Sequence, residues 1–215
     1  MFVLNKSNSI ANHFLAQIRD INVQGDRMRF RTNLIRLGEI MAYEISKSFA
    51  YRSEVITTPL ANSNVFIMET PPVLVTILRA GIPFYEGFLN YFDQSNSGFI
   101  GAYRTNEGEE NDIEIAMEYL AIPEINDQFV ILIDPMLATG KSAAGTIRLL
   151  EKKGRPRHIC ICSVIAAPEG LKYLERNVST DYSIWTVSVD EHLNNKAYIV
   201  PGLGDAGDLA FGPKH

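Results

Sequence analysis

Cysteine is nearly absent from this 215-residue chain: there are two, Cys160 and Cys162, one residue apart in an apolar run. On a strand both would face the same side, poorly placed to bond each other. That argues against a disulfide framework and fits a reducing, cytoplasmic setting. Histidine is scarce as well, with four scattered copies and no Cys/His cluster, so no dedicated protein cage for a metal is expected. Basic charge is in deficit, 20 Lys and Arg against 25 Asp and Glu, for a net charge of −5. No overall basic field invites nucleic acid or an anionic membrane, so any phosphate must be met by a few local groups. No apolar run approaches the roughly 18 residues that span a bilayer. The opening MFVLNKSNSIANHF lacks the basic segment, apolar core and cleavage site of a signal peptide. No repeat, low-complexity tract or linker appears, and the length suits a single domain over residues 1–215.

What is present is an alternation of helical patterns and short buried strands. Apolar spacing predicts helices over about Ile10 to Asp20 and Asn33 to Ala50, the second marked by Leu34, Leu37, Met41 and Ile45. VLVTIL (Val73 to Leu78) reads as a buried strand, and Ile82, Tyr85, Leu89 and Phe92 mark one face of the helix after it. GFIGAY (Gly98 to Tyr103) is a second strand, followed by the polar stretch RTNEGEEND, which has the look of a mobile loop or hairpin. Ile113, Ile115, Met117 and Tyr119 then alternate as a half-exposed strand would. FVILI (Phe129 to Ile133), HICICSVIAA (His158 to Ala167) and SIWTVSV (Ser183 to Val189) complete the buried set. A helix between the first two of these ends at Lys152, Lys153 and Gly154. The pattern predicts an α/β fold, a central mostly parallel sheet with helices on both faces. Ligands on such sheets sit beyond the carboxyl ends of the strands, where Arg79 and Asp134 fall.

The loop Asp134-Pro135-Met136-Leu137-Ala138-Thr139-Gly140-Lys141-Ser142 joins a buried strand to a helix start, where unpaired N–H groups and the helix dipole favour an anion. Thr139 and Ser142 add hydroxyls, Gly140 permits close approach, and Lys141 adds charge. A Walker loop would need glycine where Pro135 stands, so a single phosphate fits better than a nucleoside triphosphate. A turn merely capped by Thr139 or Ser142 would look the same in sequence.

An acid at a strand end followed by a Thr-Gly loop resembles the phosphoribosyl diphosphate (PRPP) motif of type I phosphoribosyltransferases. Asp134-Pro135 stands where most members carry two acids, as in the uracil-specific branch. ILRAG (Ile77 to Gly81), AYR (Ala102 to Arg104), AAPEG (Ala166 to Gly170), PGLGDAGD (Pro201 to Asp208) and RFRTNLIRLGEIMAYE (Arg29 to Glu44) match that branch in order along nearly the whole chain.

The resemblance implies that fold, with a flexible hairpin and a C-terminal hood over the base. It implies transfer of phosphoribosyl from PRPP to N1 of uracil, giving UMP and diphosphate. Arg79 and Arg104 would contact PRPP and act in catalysis with Asp205. Asp134 would accept from ribose hydroxyls, and the loop from Pro135 through Ser142 would hold PRPP, with Ala138 to Ser142 on its 5-phosphate. Ile199, Gly204 and Ala206 would read uracil, with Asp205 bridging base and PRPP. Mg²⁺ would ride on PRPP and water. A homo-oligomer, dimer or larger, is implied, and a GTP effector occurs among some relatives. Lys141, where glycine is frequent, and Thr105-Asn106-Glu107-Gly108, where the branch is more acidic, depart from the pattern.

The chemistry agrees. Breaking the bond from ribose C1 to diphosphate calls for fixed cations on the leaving group, and a guanidinium fork suits diphosphate oxygens. Gly202-Leu203-Gly204-Asp205-Ala206-Gly207 also satisfies GxGxxG, but eight residues follow Gly207, too few for the helix, strand and distant acid of a dinucleotide fold. A glycine-rich main chain suits reading a flat base edge, where the wrong base leaves buried groups unpaired. A flexible tail is the plainer alternative. Trp185 and the phenylalanines read as core, and Glu107, Glu109, Glu110 and Asp112 as a solvated acidic loop. A second function, from another class, is a PRPP- or UMP-binding pyrimidine regulator with little or no catalysis.

Overall fold

The computed structural model describes residues 1–104 and 115–213; residues 105–114 and 214–215, and the side chains of 102–104 and 115–118, lie outside that description. A short β1 (Phe2–Val3) leads to α1 (Ala11–Arg19) and α2 (Arg27–Ser46). An antiparallel pair follows, β2 (Tyr51–Thr57) and β3 (Asn62–Met68). Then come β4 (Val73–Leu78), α3 (Ile82–Tyr91), β5 (Ser97–Arg104), β6 (Ile115–Ala121), β7 (Phe129–Ile133) and β8 (Met136–Leu137). The remainder is α4 (Lys141–Lys153), β9 (His158–Ala166), α5 (Pro168–Asn177), β10 (Tyr182–Val189), β11 (His192–Leu193), β12 (Ile199–Val200) and α6 (Ala206–Phe211).

One eight-stranded sheet runs β1-β10-β9-β7-β4-β5-β6, with β8 added beside β9. Every pairing in it is parallel except β5 with β6. Strand period explains how both faces become covered. Leu74, Ile131, Ile133, Cys160 and Cys162 point to the side packed by α1, α2, α3 and α6. Val73, Val75, Val130, Leu132, Ile159 and Ile161 point to the side packed by α4 and α5. Near-continuous apolar strands are what a sheet buried on both faces requires. Each fully buried Leu or Ile contributes about 1.5–3 kcal/mol, so Ile131 and Leu132 at the sheet centre stabilise it most directly. The two cysteines share one face and are free thiols, as their spacing demands. Burial pushes the Cys160 thiol up to about 11. Trp185 packs on Phe2 at the β10–β1 edge, ring centroids 4.8 Å apart.

Two features differ from the sequence reading. Helix α2 begins at Arg27, not near Asn33, because the Asp26 carboxylate accepts from the Arg29 N–H and caps it. It stops at Ser46, short of Ala50. The β2–β3 ribbon has no counterpart in the sequence pattern: Val55, Ile56, Phe66 and Ile67 are exposed on both faces and Val65 is only half-buried, so no buried-and-exposed alternation marks it. The flexible-tail alternative for 201–208 does not hold: Leu203 and Ala206, and Ala210 just beyond, are buried in the core. The acidic loop expected over residues 104–112 falls outside the described residues beyond Arg104. Among the described residues, no helix is long and apolar enough to cross a membrane.

Candidate active site

Strands β4 and β7 are parallel neighbours with Thr76 opposite Ile133, so their carboxyl ends deliver Arg79 and Asp134 to adjoining positions. The Thr76 hydroxyl donates to the Ile133 carbonyl at 3.2 Å, tying the two ends together just below those residues. Arg79 turns toward the C-terminal helix. Its Nη2 donates to the Asp208 carboxylate at 2.9 Å and to the Gly212 carbonyl at 2.6 Å. Its Nε is buried and, among the described residues, has no hydrogen-bond partner.

Asp134 remains partly open through the mouth of the site, yet the surrounding mass removes most of its hydration. Burial raises its pKa from 3.8 to about 6, against the opposing hydrogen bond from the Met136 N–H at 3.2 Å. Within the loop after it the backbone divides into two parts. The Pro135 carbonyl accepts from Val164 and Ile165, β8 pairs with β9, and the Leu137 carbonyl accepts from the Ala167 N–H at 2.9 Å. Pro135, Met136 and Leu137 are thus fastened to the sheet. From Ala138 the chain leaves the sheet and turns into α4 through Gly140, which has φ 75° and offers no side-chain cap. Lys141 N–H reaches the Thr139 hydroxyl at only 3.4 Å. Gly140 supplies no side-chain cap to this 13-residue helix, and first-turn N–H groups are donors a phosphate can use. The turn is held from outside by α5. A Cβ at Gly140 would lie 2.6 Å from the Gly170 carbonyl, and one at Gly170 would collide with the Ala138 carbonyl. That contact accounts for the glycine ending the AAPEG segment.

The third wall is residues 199–208. β12 pairs antiparallel with β11, placing Ile199 opposite Leu193. Gly202 and Leu203 are buried, Gly204 and Asp205 form an exposed tip, and Ala206 is buried again. The Asp205 carboxylate caps α6 by accepting from the Asp208 N–H at 3.0 Å. A Cβ on Gly207 would meet Asp205 Oδ1 at 3.2 Å and Arg79 Nε at 3.8 Å, which puts the tail beside the unpartnered arginine donor. Of the predicted residues, Arg79, Asp134 and the loop to Ser142 lie at neighbouring strand ends, and Asp205 adjoins Arg79. The Arg104 backbone ends β5 opposite Ile115, while its side chain is outside the described residues. Sequence reading passes over Arg19, Gln24 and Asp190. Arg19 and Asp190 pair by 2.5 and 2.8 Å contacts behind residues 201–208. An isolated arginine and aspartate 171 positions apart carry no sequence signal for each other.

A mostly parallel sheet that brings Arg79 and the acid-led loop after Asp134 to neighbouring strand ends, with residues 199–208 beside Arg79, is the frame of a phosphoribosyltransferase. The fold is shared with a hypoxanthine phosphoribosyltransferase from Staphylococcus aureus, TM-score 0.51 at 15% identity over 74% of each chain, a likeness of fold alone. The model of the uracil phosphoribosyltransferase family matches residues 5–213, and the chain belongs to that family. It is 44% identical over 211 residues to the uracil phosphoribosyltransferase of Porphyromonas gingivalis, covering 98% of this chain and 97% of the relative. A relative of the same name from Thermococcus gammatolerans is 38% identical over 201 residues, 92% of this chain and 87% of its own. A solved structure of an Aquifex aeolicus protein superposes at TM-score 0.85 with 32% identity, covering 99% and 98% of the two chains.

Proposed function

We propose that the protein is a uracil phosphoribosyltransferase in which one end of the sheet grips PRPP and residues 199–208 read the base. The N1–C1 bond forms as the bond from C1 to diphosphate breaks. Diphosphate leaves with the electron pair, and N1 gives up its proton to solvent. The observation carrying this is the meeting of three chain-distant groups: Arg79 at the β4 tip, the Asp134 loop on the adjacent strand, and the α6 cap at Asp205.

Each group has a task that its surroundings suit. The uncapped start of α4 takes the 5-phosphate, with Thr139 and Ser142 hydroxyls beside it. Asp134 accepts from ribose hydroxyls, a role that favours its carboxylate form. Arg79 Nε and its fork meet the diphosphate, whose charge grows as the bond breaks. Arg104 joins it from the end of β5. Ile199, Gly204 and Ala206 offer main-chain groups to the uracil edge. Gly204, with φ 94°, turns the chain at the exposed tip. The donor set fits Mg²⁺ carried mainly by the substrate. Among the described residues no three His, Cys, Asp or Glu side chains cluster, and single carboxylates with phosphate and water are the usual company of this ion. When bound, the ion would neutralise diphosphate charge.

A homo-oligomer belongs to the same proposal. An isolated two-stranded ribbon is marginal in water, yet β2–β3 carries exposed Val55, Ile56, Phe66 and Ile67. A second copy would cover them.

The deciding experiment incubates the protein with uracil, PRPP and Mg²⁺ and follows UMP and diphosphate, with cytosine and hypoxanthine as controls. UMP from uracil alone is the expected result. A preference for hypoxanthine would overturn it, and tight UMP binding without turnover would mark a regulator instead.

A further inference from the structure

Behind the exposed Gly204–Asp205 tip, the main chain is held by side chains rather than by secondary structure. Gly202 has φ 63°, and a Cβ there would collide with the Ile199 carbonyl, so the turn is open to glycine alone. Its N–H donates to Asp190 Oδ2 at 2.8 Å, and its carbonyl accepts from Arg19 Nη1 at 3.1 Å. Arg19 closes the square with a two-pronged pair to Asp190, Nη1 to Oδ2 at 2.8 Å and Nη2 to Oδ1 at 2.5 Å. The Ser188 hydroxyl donates to Asp190 Oδ1 at 3.1 Å, and Asn5 donates to Ser188. Gln24, with its amide nitrogen turned to the carbonyls it faces, donates to Leu203 at 2.8 Å and Ile18 at 3.2 Å.

Given the uracil-reading role proposed for residues 199–208, we infer that Arg19 and Asp190 are positioning residues for uracil. They fix the Gly202–Leu203 shoulder so that the main-chain groups beyond it meet the base at a set distance. A segment with glycine at 202, 204 and 207 has too much backbone freedom to hold such geometry unaided. The anchors supply rigidity from two independent elements. Asp190 follows β10, and its own N–H donates to the Ala166 carbonyl at 2.8 Å, so the carboxylate stands on the sheet. Arg19 is the last residue of α1, so the guanidinium stands on a helix. The Asp190 side chain is 2% exposed, and a charge this buried persists only with its partners in place. An apolar contact could stabilise the shoulder as well, but it could not satisfy both the N–H and the carbonyl of Gly202. The planar fork paired with the carboxylate can, because the fork presents several donors in fixed directions while Asp190 takes up the N–H.

The test measures steady-state kinetics of the full chain and of Arg19→Gln, Arg19→Lys and Asp190→Asn, varying uracil and PRPP separately. Misplacing a recognition edge by about an ångström costs on the order of a hundredfold. The expected result is a KM for uracil raised about tenfold to a hundredfold, with the KM for PRPP nearly unchanged. The preference for uracil over cytosine should also narrow, and Arg19→Lys should recover part of the loss. If Arg19→Gln fails to fold, Arg19→Lys, which keeps the charge but loses the fork, carries the same comparison. Both KM values rising together, or neither moving while thermal stability falls, would overturn the inference and leave a structural pair. An active parent is the control: a parent that makes no UMP from uracil sinks the assignment of the base site itself, whereas an active parent with unsplit variants sinks the positioning role alone.

Discussion

Arg79 and Asp208 lie 129 residues apart in sequence and 2.9 Å apart in the fold, so the last helix is fastened to the tip of the central strand β4. Both side chains are partly exposed, 31% for Arg79 and 42% for Asp208, where an ion pair contributes about 0–1 kcal/mol. Stability alone therefore does not account for the contact. Its effect is to bring α6, and with it Asp205, beside the guanidinium.

Arg79→Lys separates charge from shape. Lysine keeps the positive charge but cannot hold Asp208 or Gly212 and a diphosphate oxygen in one plane. The kcat/KM for PRPP should fall about a hundredfold, with a change in melting temperature of no more than a few degrees. A kinetic loss fully matched by loss of fold, read by thermal unfolding, would assign the arginine to structure instead.

Asp205 caps α6 and, as proposed, acts in turnover, two tasks that substitution can pull apart. As the cap of α6 it accepts from the Asp208 N–H, and asparagine caps as well as aspartate. Asp205→Asn should unfold at the parent temperature yet turn over at least about tenfold more slowly. Asp205→Ala should lose the same activity and, in addition, about 1 kcal/mol of stability. Equal melting temperatures for the two variants would show that the cap contributes nothing.

Gly170 supports the loop proposed to hold the phosphate without belonging to it. In Gly170→Ala the new methyl would strike the Ala138 carbonyl and lie 2.9 Å from that of Leu137. The backbone must shift, at about 1–3 kcal/mol for an overpacked site. Affinity for PRPP should drop, as titration calorimetry would read, while residues 199–208 are untouched. Unaltered PRPP affinity would mean that the loop does not hold the phosphate.

The exposed ribbon makes a prediction about assembly. Phe66 is 76% exposed on β3, and Phe66→Asp places a charge where a second copy would bury a ring. Light scattering should show the mass moving toward the single chain. A variant that keeps the parent mass would remove β2–β3 from the interface.

How much of this is legible from the residues follows from where side-chain period is strict. Strands β4 and β7 can be read to the residue because every position is apolar or β-branched and Arg79 and Asp134 end the runs abruptly. The loop proposed to hold an anion stands out in sequence because its chemistry is local, nine consecutive residues from Asp134 to Ser142. The ribbon β2–β3 is not, since neither face is buried and no alternation survives. Nor is the Arg19–Asp190 pair, whose partners meet only once α1 and the end of β10 are brought together. The tail at 201–208 reads as glycine-rich, with no periodicity to mark core positions. It instead buries Leu203 and Ala206, with Ala210 just beyond, because small residues allow α6 to lie close against α2.

Asp134 links activity to stability through pH. Burial holds its carboxyl near 6 in the folded chain, against 3.8 for the ordinary group. Between those values the folded state binds the proton and the unfolded state has released it, so stability falls as pH rises through this window. Below it both states are protonated and the effect vanishes. Above about pH 6 the cost is complete, on the order of 3 kcal/mol and less by whatever hydration the site mouth retains. In Asp134→Asn the amide has no charge to bury, and its carbonyl can still accept from the Met136 N–H. This variant should therefore melt several degrees above the parent at pH 8 and at the same temperature below pH 4. Its PRPP-dependent activity should be lost, because the ribose hydroxyls lose an ionised acceptor. A variant no more stable than the parent at pH 8 would show that Asp134 is well hydrated, and the raised pKa would then have no source.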